Sequence, residues 1–298
     1  MLSNFRWAKR PLPSFLHSSI TPSLQLPVTA TFLGTGTSVG VPVIGCDCPV
    51  CTSNHPGNQR TRSSLHLEMP GLSLLVDTGP DLREQALREN LRTVDAVLYT
   101  HAHLDHVAGF DELRAFCWHR EAPLPIYAGP ETMDALTRMF PWAMSNTSPS
   151  YVRPDPHLVE GPFQLGPLAI TPVPVLHPKV ETFGYRFDLP TGHTLAYLSD
   201  VKEIPPASRA LLPDLDILII DALRPSPHPT HMNVEEALAT IADLQPSRAI
   251  LTHLAHEIDY RTAREDLALP DSVSLAHDGL KLRFEKGERG ARLLPPTS

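Results

Sequence analysis

The 298-residue sequence predicts an α/β sandwich, two β-sheets packed together with helices outside. Three observations predict it. Strand-like segments followed by helix-like ones occur in both halves of the chain, with no repeat at a fixed short period. Apolar strands deliver an acid or a histidine at their C-terminal ends five times, at Asp77, His177, Asp200, Asp221 and His253. The run Tyr99-Thr-His101-Ala-His103-Leu-Asp105-His106 occupies the loop after another apolar strand, where open α/β sheets carry their chemistry.

Taken in order, residues 28–33 form an apolar strand broken by Gly34-Thr35-Gly36-Thr37. That loop lacks the lysine and third spaced glycine of a phosphate loop and reads as a tight turn beside the site. Strands 65–69 and 73–77 form a hairpin around Pro70-Gly71. Helix 80–91 opens on a proline with early acids. Strand 96–99 feeds the histidine run, and 111–119 reads as helix. Strand 125–128 and helix 131–139 follow, then an irregular stretch over 141–157. A second series has strands at 168–175, 184–188 and 194–198, helix 206–212 and strand 217–221, wholly apolar before Asp221. Helix 233–244 has Asn233 as N-cap and Glu236 at the capping-box position. Strand 249–252, helix 260–267 and strand 280–284 complete one domain over residues 28–290.

Composition narrows the function. A net charge of −8 opposes nonspecific nucleic-acid binding, which needs a basic face. No apolar run approaches the roughly 18–20 residues of a membrane span. Three of four cysteines crowd as Cys46-Asp-Cys48-Pro-Val-Cys51, poor spacing for disulfides and good spacing for metal, which points to a reducing, cytoplasmic setting. The first 46 residues carry Arg6, Lys9 and Arg10 and no acid. Residues 1–27 therefore read as a disordered or loosely docked extension, with organellar import left open.

Three imidazoles and a carboxylate within six residues suit a divalent metal, and the five strand-end residues add to the set. His101-Ala-His103-Leu-Asp105-His106, with Asp77, His177, Asp200 and His253, resembles the metallo-β-lactamase-fold hydrolases, which implies a four-layered αββα sandwich. Phe32-Leu-Gly-Thr-Gly-Thr-Ser-Val-Gly-Val-Pro42, Gly45-Cys-Asp-Cys-Pro-Val-Cys51, His177-Pro-Lys-Val-Glu-Thr-Phe-Gly-Tyr185 and Leu251-Thr-His-Leu-Ala-His256 are similar to the phosphoribosyl 1,2-cyclic phosphodiesterases of phosphonate catabolism. The resemblance implies His101, His103 and His177 on one metal, Asp105, His106 and His253 on a second, and Asp200 bridging. It also implies a structural zinc on Cys46, Cys48, Cys51 and His256. The active-site ions would be zinc or manganese. Asp77 would orient a ligand histidine through its other ring nitrogen.

The expected activity is that of a dinuclear metal-dependent phosphodiesterase acting through a metal-bridged hydroxide on a small cyclic sugar phosphate or nucleotide-like ester. Asp105 and Asp200 would be catalytic as ligands. His231 would be general acid or phosphate contact, with Asp221 as its orienter. Lys179 is a candidate phosphate contact. Alternatives on the same fold are a tRNA 3′-processing endonuclease, a (thio)ester or lactone hydrolase, and a non-catalytic accessory protein like those of pyrroloquinoline quinone biosynthesis. Nothing resembling the endonucleases' basic arm is found. A homodimer is left open. Arg60 and Arg62 read as surface ion pairs, Cys117 as a buried small hydrophobe, and His17, His55, His66, His119, His157, His193 and His277 as surface residues. His228 has no assignment.

Overall fold

The computed structural model describes residues 27–118, 120–145, 151–288 and 290–294. The extension 1–27 lies outside the described residues save for Pro27, as do His17 and His119. The chain runs through β1 (Val28–Gly34), the hairpin β2 (Ser64–Met69) and β3 (Leu72–Val76), then β4 (Ala96–Leu98), β5 (Leu124–Ala128) and β6 (Pro154–Leu158). A second series follows: β7 (Phe163–Leu165), β8 (Leu168–His177), β9 (Val180–Asp188), β10 (Thr194–Leu198), β11 (Ile217–Asp221), β12 (Arg248–Thr252) and β13 (Val273–Leu275). Finally β14 (Lys281–Phe284) and β15 (Arg292–Leu294) return to the first sheet. The sheet orders are β15-β14-β1-β2-β3-β4-β5-β6 and β13-β12-β11-β10-β9-β8-β7.

Three apolar cores separate four layers. Between the sheets, Phe32, Leu67 and Leu74 meet Tyr185, Phe187 and Ile219. Outside the first sheet lie α1 (Leu82–Arg88), α2 (Leu104–Val107), α3 (Arg114–Cys117), α4 (Pro130–Met139) and α5 (Pro141–Met144), in a core that includes Leu82, Val107 and Leu136. Outside the second lie α6 (Pro206–Arg209), α7 (Val234–Leu244) and α8 (Ala263–Asp266), with Ala237, Ile241 and Ala263 in one core with Leu218, Ile220 and Leu251. The architecture is an αββα sandwich. It explains the run Ile217-Leu-Ile-Ile: Ile217 and Ile219 face the central core, Leu218 and Ile220 the helices, so every position is apolar. The strands β3 to β6 and β10 to β13 are parallel in each sheet, so their C-terminal ends gather on one side. There Tyr185 O–H donates to the Tyr99 carbonyl at 2.7 Å and Phe183 N–H to the Thr100 carbonyl at 3.0 Å, tying the sheets under the histidine loop.

Several elements differ from the sequence reading. The 111–119 helix is a 3-10 turn over Phe110–Leu113 followed by α3. The irregular stretch 141–157 contains α5 and β6, whose Pro154 and Pro156 are tolerated because β6 is an edge strand. β7 and β13 are three residues each, too short to show a period. β15 pairs with β14 beyond residue 290. The Gly34–Thr37 segment is no turn; Gly36 bridges Arg62 on one side and Leu254 on the other. A Cβ on Gly36 would lie 2.6 Å from the Arg60 carbonyl oxygen, so the glycine permits close backbone approach. His66 and His193 are buried, His66 Nε2 lying 2.8 Å from Ser73 Oγ and His193 Nε2 3.0 Å from the Glu288 carbonyl. Arg60 is buried as well, whereas Arg62 pairs with Asp81 at 3.1 Å. Cys117 is buried.

At α7 both capping-box bonds form: Glu236 N–H donates to Asn233 Oδ1 at 2.8 Å and Asn233 N–H to Glu236 Oε2 at 2.9 Å. Asn233→Ala is expected to lower the unfolding free energy by about 1 kcal/mol in urea denaturation. An unchanged midpoint would show that packing alone fixes this helix end.

Candidate metal centre

The geometry begins with Asp77. It follows β3 with φ 63°, a left-handed conformation uncommon outside glycine, and it is fully buried. Its carboxylate accepts Thr100 N–H and Thr100 Oγ1–H, both at 2.8 Å, and His106 Nδ1–H at 2.7 Å. Because the Thr100 hydroxyl proton is given to Asp77, its oxygen accepts from His101 Nδ1 at 3.0 Å. In the second sheet, His177 Nδ1–H donates to the Thr230 carbonyl at 2.8 Å. Ser63 gives its proton to the Gly36 carbonyl and so accepts from His253 Nδ1 at 3.2 Å.

The outcome is the same four times. His101, His106, His177 and His253 are each nearly or wholly buried, each turns its Nδ1 outward to an acceptor, and each turns its Nε2 inward. These nitrogens face one another. His101 Nε2 and His177 Nε2 lie 2.9 and 3.2 Å from His103 Nδ1. His106 Nε2 lies 3.3 Å from Asp105 and 3.2 Å from Asp200; His253 Nε2 lies 3.5 Å from Asp200. Among the described residues, three of the buried atoms, His106 Nε2, His253 Nε2 and Asp200 Oδ2, have no hydrogen-bond partner. An orphaned buried polar group costs about 1–3 kcal/mol, and a cation at the point where several converge would satisfy them together.

The donor chemistry fits a metal. Ligand atoms of His101, His103 and His177 lie within 4.8 Å of one another, as do those of His101, His106 and Asp200, those of Asp105, Asp200 and His253, and those of His177, Asp200 and His231. Asp200 belongs to three of these groups, so the arrangement can take two ions with Asp200 between them. Burial pushes His253 down to about 4, and burial with the neighbouring His106 holds His101 well below its ordinary value, so both are neutral, the form in which an imidazole can take a metal.

A second cluster joins Cys46, Cys48 and Cys51 to His256. The three Sγ atoms lie 3.3, 3.6 and 3.4 Å from His256 Nδ1. A tetrahedral zinc with Zn–S near 2.3 Å and Zn–N near 2.05 Å implies an S···N edge of about 3.6 Å, so the spacing fits. Cys51 N–H points at Cys48 Sγ and draws that thiol down to about 6.

Between the clusters lies a cleft of about 250 Å³ lined by Thr37, Ser38, Val43, Arg224, His228 and His231 among others. His231 Nδ1–H donates to buried Asp221 at 2.7 Å. Burial opposes the His231 imidazolium, and Asp221 outweighs it, raising its pKa. His228, unassigned by sequence, has its ring 5.2 Å from that of His231. Lys179 occupies the exposed turn after His177 with φ 75°, and among the described residues its side chain makes no bond to the cluster. Thr100, Ser63 and the Thr230 carbonyl went unread in the sequence. Thr100 lies inside the histidine run, where a hydroxyl between Asp77 and two imidazoles could have been sought. Ser63 acts 190 residues away and leaves no local signal.

A family model described as a Beta-lactamase superfamily domain matches residues 73–254. A solved structure of a diphosphatase from the PhnP family superposes with TM-score 0.79 at 40% identity, covering 87% of this chain and 98% of that one. An octanoyltransferase of Porphyromonas gingivalis is 34% identical over 271 residues, 88% of this chain and 52% of that protein. A ribonuclease Z of Bradyrhizobium diazoefficiens is 33% identical over 172 residues, 55% of this chain and 51% of that protein. The chain thus spans about half the length of both curated relatives.

Asp77→Asn would offer His106 an amide in place of a carboxylate and unsettle its tautomer. Metal affinity at the histidine cluster is expected to fall about 10–100-fold, read by chelator competition. An unaltered competition midpoint would remove Asp77 from that role.

Proposed function

Because the chain belongs to the beta-lactamase superfamily and, within it, to the PhnP family, we propose that it is a metal-dependent phosphodiesterase acting on a small cyclic sugar phosphate or nucleotide-like ester. The observation that carries this reading is the set of four buried imidazoles fixed through Nδ1 so that their Nε2 atoms turn into one cluster with Asp200. His101, His103 and His177 would hold one divalent ion, Asp105, His106 and His253 the other, and Asp200 would be shared. Bound there, two ions supply charge neutralisation at phosphoryl oxygens and activation of water for in-line displacement.

The protein's own part is orientation and proton transfer. Asp77, Thr100, Ser63 and the Thr230 carbonyl hold the ligand rings before any ion arrives, so little reorganisation is needed on binding. His231, braced by Asp221 at 2.7 Å, lines the cleft with its other ring nitrogen free of that bond, so that it can donate a proton to a departing alkoxide. The cleft's roughly 250 Å³ is below the ~300–1,000 Å³ usual for drug-sized ligands, which favours a compact leaving group. With a net charge of −8, this supports a small ester over the RNA implied by the name ribonuclease Z. The cysteine–histidine cluster would hold a structural zinc that braces the loop bearing His253.

The test is purified protein with metals quantified, offered a cyclic ribose phosphate, bis(p-nitrophenyl) phosphate, a lactone, an octanoyl thioester and a tRNA precursor. Turnover of the phosphodiesters is expected. Turnover of only the lactone, the thioester or the precursor would overturn the reading. The thioester is included because of the octanoyltransferase relative.

His231→Ala should lower kcat about 10²–10⁴-fold on a diester with an alkyl leaving group. It should change little on bis(p-nitrophenyl) phosphate, whose leaving phenolate needs no proton. Equal losses on both would assign His231 to phosphate binding.

A further inference from the structure

Arg60 is among the largest side chains the fold encloses completely, at 1% exposure. Its guanidinium is held by uncharged groups. Nε donates to the Gly57 carbonyl at 2.9 Å, Nη1 to the Ala255 carbonyl at 2.7 Å, and Nη2 to the Ile258 carbonyl at 2.7 Å and to Asn58 Oδ1 at 3.2 Å. Burial draws its pKa down to about 10, which leaves it charged at neutral pH. A buried cation with no contacting carboxylate among the described residues is a costly way to fill a core, and an apolar residue of similar volume would often serve stability as well.

What Arg60 touches gives the reason. Ala255 and Ile258 flank His256, and the same loop begins at His253, whose φ of 58° is left-handed. Asn58 adds to the grip by accepting Tyr260 N–H at 2.9 Å and donating to Asp259 at 3.0 Å. On its other side, the Arg60 backbone exchanges hydrogen bonds with Val41 at 2.9 and 2.7 Å. Two residues beyond Val41, Val43 N–H points at Cys51 Sγ at 3.3 Å. Three residues beyond Arg60, Ser63 holds His253 Nδ1. Short connections therefore lead from this one residue to a ligand-type atom in each cluster.

We propose that Arg60 is a positioning residue that makes the 253–260 loop a common wall of both clusters, so that occupancy of the cysteine–histidine cluster and metal affinity at the histidine–carboxylate cluster are energetically coupled. The inference rests on reading both clusters as metal sites. With Cys46, Cys48, Cys51 and His256 drawn together on an ion, the loop is pinned from one end. Arg60 fixes its carbonyls, and the distance from His256 back to His253 is then set. Without that ion the clamp has only one anchored side, and His253 can relax from its left-handed conformation. By linkage, the coupling acts equally in both directions.

The test is a two-by-two cycle on the full-length protein with cobalt(II) as probe. One arm is Arg60→Lys, which keeps charge and stem but offers a single nitrogen where three reach carbonyls. The other removes the ion from the thiolates with an organomercurial, followed by loss of the cobalt–thiolate charge-transfer absorption. Each change alone is expected to raise the cobalt Kd at the histidine cluster about tenfold, and both together little more than either. Additive losses, about a hundredfold together, or no loss from either change, would overturn the proposal, because a merely destabilising substitution acts independently of thiolate occupancy. Asn58→Ala, which removes the buried side-chain bonds from Asn58 to Asp259 and Tyr260 on the same loop, repeats the cycle should Arg60→Lys fail to fold. It is expected to give a smaller loss with the same non-additivity, and additivity there counts equally against the proposal. Wild-type protein that takes up no cobalt would defeat the metal reading itself; two filled but independent sites would defeat only the coupling.

Discussion

Four buried imidazoles held with Nε2 turned inward around one buried carboxylate form the constraint on which the rest of this structure depends. Asp200 is 2% exposed and lies within 4.0 Å of ring nitrogens of His101, His106, His231 and His253. Burial favours protonating such an acid, yet the facing His253 and His106 outweigh it and hold Asp200 well below the usual carboxylate range, while Asp200, Asp77 and Asp105 overcome burial in turn and hold His106 well above its ordinary value. The imidazoles cannot all be charged to satisfy it, because burial presses His101 and His253 toward neutrality. The cluster therefore holds more lone pairs than protons. An apolar substitution at any one member would leave the others worse satisfied, so the set is tolerable only as a whole and only with positive charge from outside.

Such a set cannot be built on one element. A strand end offers one or two side chains, and six to eight are needed at one point. The sandwich supplies them by aligning parallel strand ends from both sheets, β3 and β4 from one and β10, β11 and β12 from the other. Bringing the chain round at those ends strains it. Asp77 and His253 both hold left-handed backbone, a conformation costing of the order of 1–3 kcal/mol at a non-glycine residue. Each is fastened by hydrogen bonds on its side chain, Asp77 by Thr100 and His106, His253 by Ser63. The strain and the fastening lie in the same residues that present or orient the ligand atoms.

The residues legible in the sequence are those whose role has a local signature. A histidine closing an apolar strand, three histidines within six positions, and cysteines spaced by one and two residues each stand out against their neighbours. The αββα layering was legible for a similar reason, since β11 is apolar at every position before Asp221 and α7 is announced by Asn233 just before it and Glu236 in its first turn. β6 was missed because Pro154 and Pro156 argue against a strand until its edge position is known. The glycines at 34 and 36 were misread because a turn and a close backbone approach call for the same residue, and only the bridges to Arg62 and Leu254 tell them apart.

The misread polar residues share one cause. His66, His193 and Arg60 were all placed at the surface, and all are buried against carbonyls or hydroxyls. A charged partner leaves a complementary residue in the sequence, but every position has a carbonyl, so a partner of that kind leaves no mark. Arg60 shows how far this goes, since Ala255 and Ile258 lie 195 and 198 residues away and neither residue type suggests a contact with arginine. Where a buried cation is received by backbone rather than by acids, what it recognises is the path of a loop. Sequence can name the ligands such a loop carries, but the residue that sets their spacing becomes visible only when the backbone around it is seen.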